Sequence, residues 1–345
     1  MGCSCKSPFF LIIMINLNLL KDIILRHKSF LLSTHINPDA DAIGSEIAFY
    51  FILKELGKEC CIINHSETPY NLEFLDADKK IEKFDENKHK GIFNDVEVLV
   101  ALDFNRSDRI VSMQKYFNES KREKICLDHH QDPEDFVDHY FIDSEYSATG
   151  QIIYDLIDKT KIVALSKETA YPIYTAIMTD TGSFRFERTT PEIHYIAANL
   201  LEHGVDPSGV FDKVYDQSKF SKLKLLGKTL ASMELYGNRN EIGYMVITRK
   251  MFEETGAIES DTDGFVNYTL SVEKVRVGLL FTELDNGFKV SFRSKGEIPV
   301  NKLAAKFDGG GHINAAGARF LNKDIKKFIN VVLAKAEEFL ELIKV

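Results

Sequence analysis

Residues 30–41 read F-L-L-S-T-H-I-N-P-D-A-D, and the order of residue types in that stretch decides the fold. Residues 30–34 predict a short buried strand. His35 follows at once, and residues 41–56 then carry helical spacing, with Ile43, Ile47, Phe51 and Leu53 on or near one face. Gly57 ends that helix. The pattern recurs downstream. Residues 96–102 (V-E-V-L-V-A-L) stop at Asp103, and residues 124–127 (K-I-C-L) stop at Asp128-His129-His130. Residues 60–63 predict another strand, and residues 149–159, 167–178 and 192–203 predict helices. Strands alternating with helices indicate an α/β fold with a parallel sheet. In such a sheet the carboxyl ends of the strands form the edge where ligands bind. Three predicted strands therefore deliver His or Asp to one edge.

The 345 residues suit about two domains. With 44% hydrophobic and 28% charged residues, the composition is that of a globular chain with a real core. The net charge of -9 and pI of 5.6 exclude a generally basic surface and argue against wrapping duplex nucleic acid. They leave an anionic substrate open, because metal ions and a few arginines reverse the local field. No segment reaches the roughly 20 apolar residues that span a bilayer. Cys3, Cys5, Cys60, Cys61 and Cys126 are odd in number and contain no C-x-x-C, which suits a reduced cytoplasmic setting. Residues 9–20 are mostly apolar but short, with no small-residue cleavage site after them, and Lys6 breaks the myristoylation pattern that Gly2 and Cys3 suggest. The preferred start is Met14, with residues 1–13 an extension. That apolar stretch, if exposed, suits a homodimer contact.

After residue 205 the texture changes. Residues 206–235 read as a continuous charged helix, a linker or hinge. From Gly243 onward the strands read as antiparallel, with residues 274–284 and 287–294 flanking Asp285-Asn286-Gly287, a hairpin signal. A helix over 323–343 closes the chain. The expected organisation is thus extension 1–13, domain 14–205, linker 206–239 and a smaller α+β domain 240–345.

His35, Asp39 and Asp41 offer imidazole and carboxylate within seven residues, a donor set for Mn²⁺, Mg²⁺ or Zn²⁺. Asp41 alone also reads as a simple helix N-cap. Asp103 alone reads as a turn, Asp180 in D-T-G as a helix end, and His129-His130 as a surface pair. As candidate ligands, His35 and His129 with Asp39, Asp41, Asp103 and Asp180 supply two imidazoles and four carboxylates, about what a two-metal phosphoryl site needs. In the second domain Gly309-Gly310-Gly311-His312 offers bare backbone N–H groups for an anion nest, or a flexible turn. Arg293, beside Ser294 and Lys295, offers a guanidinium fork to phosphate, or a solvated strand end.

These motifs resemble the DHH phosphoesterase superfamily: Asp128-His129-His130 itself, His35-x-x-x-Asp39-x-Asp41-x-x-Gly44-Ser45, then Asp103 and Asp180. Gly309-Gly310-Gly311-His312 resembles the DHH-associated C-terminal domain, and the nearest subgroup is the nano-RNase/pAp phosphatase family. The resemblance runs from about Met14 to the end. It implies an active site in an interdomain cleft and two metal ions, Mn²⁺ first, with Mg²⁺ or Co²⁺ as alternatives. It implies that His35 and Asp39 bind one ion, Asp41 and His129 the other, and that Asp103 and Asp180 lie between them. It implies His130 at the scissile phosphate, Asp128 orienting an imidazole, and Arg293, Ser294, Gly310, Gly311, His312 and Arg185 on the substrate. The implied substrates are short single-stranded RNA, linear dinucleotides such as pApA, and pAp. A cyclic di-AMP phosphodiesterase would use the same residues. A manganese-dependent pyrophosphatase shares the metal motifs but lacks the Gly-Gly-Gly-His stretch. A processive exonuclease would be longer, and a non-catalytic nucleotide sensor would have lost a ligand.

Overall fold

The computed structural model describes residues 15–311 and 313–343. The readings for residues 1–13, Met14 and His312 lie outside the described residues. The chain divides into two compact units, Met1–Gln217 and Ser218–Val345.

The first unit is built on six parallel strands: β1 (Ser29–Ser33), β2 (Glu59–Asn64), β3 (Ile81–Lys83), β4 (Val98–Leu102), β5 (Glu123–Asp128) and β6 (His139–Ile142). Their order is β3-β2-β1-β4-β5-β6. Side chains alternate across a sheet with period two. Phe30, Leu32, Val98, Val100, Ile125 and Leu127 therefore enter one core, while Leu31, Leu99, Ala101 and Cys126 enter the core on the opposite face. Burial on both faces explains why these strands read as continuous apolar runs. β3 and β6 escape that signature because they are short edge strands, mostly exposed or half-buried.

Four helices position the strand ends: α1 (Leu17–Arg26), α2 (Ala40–Glu55), α3 (Thr149–Thr160) and α4 (Lys167–Asp180). α1 lies in the stretch before β1, for which the sequence predicted no element, and buries Leu17, Leu20, Ile23 and Ile24. The one-faced reading of α2 is corrected: every residue from Ala40 to Phe49 is buried. The cause is close helix packing. A Cβ on Gly44 of α2 would lie 2.6 Å from the Pro172 carbonyl oxygen of α4, and one on Gly150 of α3 would lie 2.6 Å from the Ala176 Cβ of α4. Glycines at both contacts let α2, α3 and α4 approach beneath the strand ends.

The second unit carries six more strands: β7 (Glu234–Tyr236), β8 (Ile242–Ile247), β9 (Val277–Leu284), β10 (Gly287–Ser294), β11 (Gly310–Gly311) and β12 (Ala315–Leu321), ordered β11-β12-β10-β9-β8-β7. The β9–β10 hairpin turns at Asp285-Asn286, as its Asn-Gly signal predicts. The expectation of a wholly antiparallel set fails at one pair, since β8 and β9 run parallel. They are joined by a long excursion, which is what a parallel connection requires. The helix Ile325–Ile343 covers one face with Val332, Leu333, Ala336 and Leu340. Leu225 of the helix Phe220–Ala231 joins Met245, Ile247 and Phe265 in a separate core. Residues 206–235 are accordingly not one helix. Pro207–Tyr215 and Phe220–Ala231 are separate helices, and β7 follows. Among the described residues no helix is long and apolar enough to cross a membrane.

Candidate metal centre and active site

Sheet order brings the predicted residues together. β1 and β4 are neighbours, and β5 lies beside β4. His35 leaves β1, Asp103 leaves β4, and His129 and His130 leave β5, all at the carboxyl edge. The Thr34 hydroxyl donates to the Leu102 carbonyl at 2.7 Å, and the Asp103 N–H donates to the Leu127 carbonyl at 3.0 Å. These bonds tie the three strand ends together one residue before the polar groups begin. Asp103 then takes a φ of 63, in the left-handed region that a short polar residue tolerates.

Each carboxylate is held by a bond that leaves other lone pairs in place. Asp39, not Asp41, is the N-cap of α2: its Oδ1 accepts from the Asp41 and Ala42 N–H groups, both at 3.1 Å. Asp41 instead caps α3, whose own cap position is Ala148. It accepts from the Thr149 N–H at 2.7 Å, the Gly150 N–H at 2.9 Å and the Ser45 hydroxyl at 3.1 Å. A carboxylate at a helix N-terminus is favoured by the macrodipole. Asp103 Oδ1 accepts from the Thr149 hydroxyl at 2.9 Å. Asp180 is the last residue of α4, so the D-T-G stretch does end a helix, and its Oδ2 lies 3.1 Å from His129 Nε2.

The imidazoles are oriented from behind. His35 Nδ1 meets the Ile36 carbonyl at 2.9 Å, and its Nε2 lies 3.4 Å from Asp103 Oδ2. His129 Nδ1 faces the Tyr146 carbonyl at 3.3 Å. His129 Nε2 has carboxylate oxygens of Asp41 and Asp103 at 3.6 Å, yet it is buried and makes no hydrogen bond of acceptable geometry. His130 Nδ1 bonds Asp128 Oδ1 at 2.7 Å, and the second Asp128 oxygen is buried without a partner among the described residues.

Two donor groups result, His35 with Asp39 and Asp103, and Asp41 with His129 and Asp180; Asp103 also groups with His129 and His130. Within each, one ligand atom per residue lies within 4.8 Å of the others. Burial, with Asp41, Asp39, Asp128 and Asp180 nearby, holds the Asp103 carboxyl well above the usual carboxylate range. Burial, with Asp41 and Asp39 adding, raises Asp180 to about 6, against the lowering effect of His129. Burial alone would lower the His129 imidazole, but Asp180, Asp41 and Asp128 outweigh it and raise it to about 9. Crowded carboxylates and a buried imidazole nitrogen without a hydrogen bond fit a divalent cation with nitrogen and oxygen donors.

Arg185 is exposed, its guanidinium 5.5 Å from the Phe186 ring centroid. Arg293, Ser294, Gly310 and Gly311 belong to the second unit. Arg293 is half-buried and donates to the Phe292 carbonyl at 3.0 Å; burial lowers its pKa, opposed by Asp263. The Ser294 hydroxyl is already committed, donating to the Ile298 carbonyl at 2.6 Å and accepting from Asn314 at 2.9 Å. The glycines take part in the sheet. The Gly309 N–H donates to the Ala304 carbonyl at 3.0 Å, and Gly310 and Gly311 pair with Gly317 and Ala316. A Cβ on Gly309 would lie 2.3 Å from the Gly317 carbonyl, so glycine there serves sheet packing. Thr149 and Gly150 were missed by sequence reasoning. The signal was available: a helix preceded by Ala148 has no cap of its own and needs an acceptor from elsewhere.

The profile of the DHH family N-terminal domain matches residues 29–177, and that of the DHHA1 domain matches residues 243–342. The chain is 34% identical over 307 residues to the bifunctional oligoribonuclease and PAP phosphatase NrnA of Thermus thermophilus, covering 89% of each chain. It is 29% identical to the protein of the same name from Bacillus subtilis, covering 86% of this chain and 91% of that one. Among solved structures, an exopolyphosphatase-related protein from Bacteroides fragilis superposes with a TM-score of 0.90 at 31% identity, covering 95% of this chain and 97% of that one. Domain order, metal-ligand motifs and full-length likeness agree, and the chain belongs to the DHH family, as a relative of the bifunctional oligoribonuclease and PAP phosphatase proteins.

Proposed function

We propose that this chain is a divalent-metal phosphoesterase that hydrolyses short oligoribonucleotides and linear dinucleotides such as pApA to mononucleotides, and removes the 3′-phosphate of pAp. The observation that carries the reading is the pair of donor groups at adjacent strand ends, with Asp103 within reach of both histidines. In this reading His35, Asp39 and Asp103 hold one ion, and Asp41, His129 and Asp180 hold the other, with Asp103 shared. Mn²⁺ is the preferred ion. Two such ions lower the pKa of a water and offset charge on the phosphoryl oxygens.

The chain's own groups do the rest. The Thr149 hydroxyl and the αL backbone fix Asp103, and the α3 N-terminus fixes Asp41. Asp128 Oδ1 accepts from His130 Nδ1 at 2.7 Å and orients the ring, and in the general-acid role Nε2 is the atom that carries the proton. As the water oxygen bonds to phosphorus, the bond to the leaving ribose oxygen breaks, and His130 Nε2 supplies the proton that oxygen takes. Arg293, Gly310, Gly311 and His312 hold the far nucleotide, with Ser294 positioning that segment and Arg185 as a further phosphate contact. The free thiols of Cys60, Cys61 and Cys126 suit a reducing cytoplasm.

The test is product analysis of pApA, pAp, cyclic di-AMP and pyrophosphate, with Mn²⁺ and with EDTA. AMP from pApA and phosphate from pAp, both abolished by EDTA, support the reading. Faster opening of cyclic di-AMP would replace it with second-messenger breakdown. Activity on pyrophosphate alone would overturn it.

A further inference from the structure

The loop that carries His130 is held by a buried side chain from the neighbouring strand. Residues 129–138 join β5 to β6; residues 131–135 are exposed, and Asp132 takes a φ of 58. Exposed connecting segments are the mobile part of a fold, yet a general acid must sit within hydrogen-bond reach of the oxygen it protonates. The Asp128 carboxylate fixes the His130 ring at Nδ1. The backbone from which the ring hangs needs a separate hold.

Asn105 provides it. This residue is buried, two positions beyond Asp103 at the exit of β4. Its Nδ2 donates to the His130 carbonyl at 3.1 Å and to the Gln131 carbonyl at 3.0 Å. A carboxamide nitrogen carries two hydrogens, and both go to successive carbonyls of the loop. The Asn105 carbonyl accepts from the Glu134 N–H at 2.8 Å, and the Glu134 carboxylate accepts from the Ser107 N–H at 2.7 Å. The two segments are thus bonded in both directions. Residues 103–104 are in turn seated on β5. The Asp103 N–H donates to the Leu127 carbonyl at 3.0 Å, and the Cys126 thiol donates to the Phe104 carbonyl at 3.1 Å.

We infer that Asn105 is a positioning residue for His130: its carboxamide holds the His130–Gln131 backbone at a fixed place relative to Asp103, so that the imidazole meets the leaving ribose oxygen. The inference rests on the phosphoesterase reading above and deepens it with a residue that is neither a metal ligand nor a substrate contact. An asparagine that merely closed a turn would serve the fold and not the proton transfer. Leaving-group chemistry separates the two roles. A ribose oxygen leaves as a strongly basic alkoxide unless it is protonated, whereas a thiolate is a much weaker base and leaves without a proton.

The experiment compares the wild type with Asn105→Ala, with Mn²⁺, on pApA and on its analogue with sulfur in place of the bridging 3′ oxygen. On pApA, kcat should fall about 100-fold with KM nearly unchanged. On the sulfur analogue it should fall less than about fivefold. Mn²⁺ affinity in calorimetry should be unchanged. In EDTA without substrate, amide hydrogen exchange over residues 129–134 should quicken while β5 stays protected. Tyr140→Phe is the control. The Tyr140 hydroxyl accepts from the Phe136 and Val137 N–H groups at 2.7 and 3.1 Å, at the far end of the same loop. Its loss should leave the ratio of the two kcat values as in the wild type. Urea unfolding checks that each variant folds, and Asn105→Ser, with a single short donor, should show the same substrate preference if Asn105→Ala does not fold. Equal losses on both substrates overturn the inference. So do weakened Mn²⁺ binding, unaltered exchange over residues 129–134, or the same change of ratio in Tyr140→Phe. A wild type that cleaves neither pApA nor pAp overturns the functional reading instead, while the exchange comparison still reads the hold on the loop.

Discussion

Glu46 offers a test of how the strand ends are held. It lies on α2, fully buried, with Oε2 accepting from Asn64 Nδ2 at 2.8 Å. Asn64 Oδ1 in turn accepts from the Thr34 N–H at 3.0 Å, next to His35. Glu46 Oε1 has no partner among the described residues. Burial raises its pKa to about 8, with the Asn64 bond opposing and Asp76 adding. A pKa of about 8 favours the neutral form in the folded protein at pH 7, and Oε2 already accepts from Asn64. In the unfolded chain it ionises near its ordinary value of 4.5. The folded state thus binds the extra proton, and stability falls as pH rises. The loss begins near pH 4.5, grows by about 1.4 kcal/mol per pH unit, and levels off above pH 8, for a total of roughly 5 kcal/mol. Glu46→Gln removes this titration while placing an N–H group where the protonated carboxyl carried O–H. Urea unfolding of both proteins in EDTA at pH 5, 6, 7 and 8 isolates the effect as a difference. The variant should match the wild type near pH 5 and exceed it by about 4 kcal/mol at pH 8. Parallel curves across that range would refute the buried neutral carboxyl.

The packing and the site give three other expectations. Thr149→Ala removes the hydroxyl that fixes Asp103 and should weaken Mn²⁺ binding by about 10–100-fold in calorimetry, while Thr149→Ser should retain it. Asp103→Asn should lower turnover by at least about a hundredfold. It should also raise the unfolding midpoint in EDTA, because it removes a buried carboxyl crowded by four others; a fall in both would mean misfolding. Gly44→Ala drives a Cβ to 2.6 Å from the Pro172 carbonyl, and should cost about 1–3 kcal/mol in urea unfolding as α2 and α4 separate.

The sheet was legible because its strands are buried on both faces and stop abruptly at charged residues. Such a run has few other structural meanings, so His35, Asp103, Asp128 and His129 could be placed on one edge from the sequence. What stayed hidden depends on partners distant in the chain. No local pattern says that Asp41 caps α3, more than a hundred residues away, or that α2 is buried on all sides. Both depend on helix packing at Gly44 and Gly150. The three glycines at 309–311 carried two readings for a related reason. A bare backbone reads alike whether it approaches an anion or another strand, and here Gly309 approaches Gly317. The break after Tyr215 escaped because Asp216 to Lys219 contain no proline or glycine to mark it.

The site residues carry structural bonds that do not depend on a metal, and this bears on what chelation should do. Asp39 caps α2, Asp41 caps α3, Asp103 is tied to Thr149 and Leu127, and His35 is tied to Ile36. These bonds involve backbone or hydroxyl groups of a closely packed unit. A zinc finger, by contrast, assembles its ligands only when metal arrives and unfolds without it. The present geometry predicts that EDTA leaves the circular dichroism spectrum unchanged. Its effect should be a lower unfolding midpoint, set by binding linkage alone: Mn²⁺ at a hundredfold excess over its dissociation constant adds about 2.7 kcal/mol per site. The dependence of that midpoint on Mn²⁺ concentration should follow the dissociation constant measured independently by calorimetry. Loss of secondary structure on chelation would mean that the ions build the strand-end geometry, and that the capping bonds of Asp39 and Asp41 are too weak to hold it.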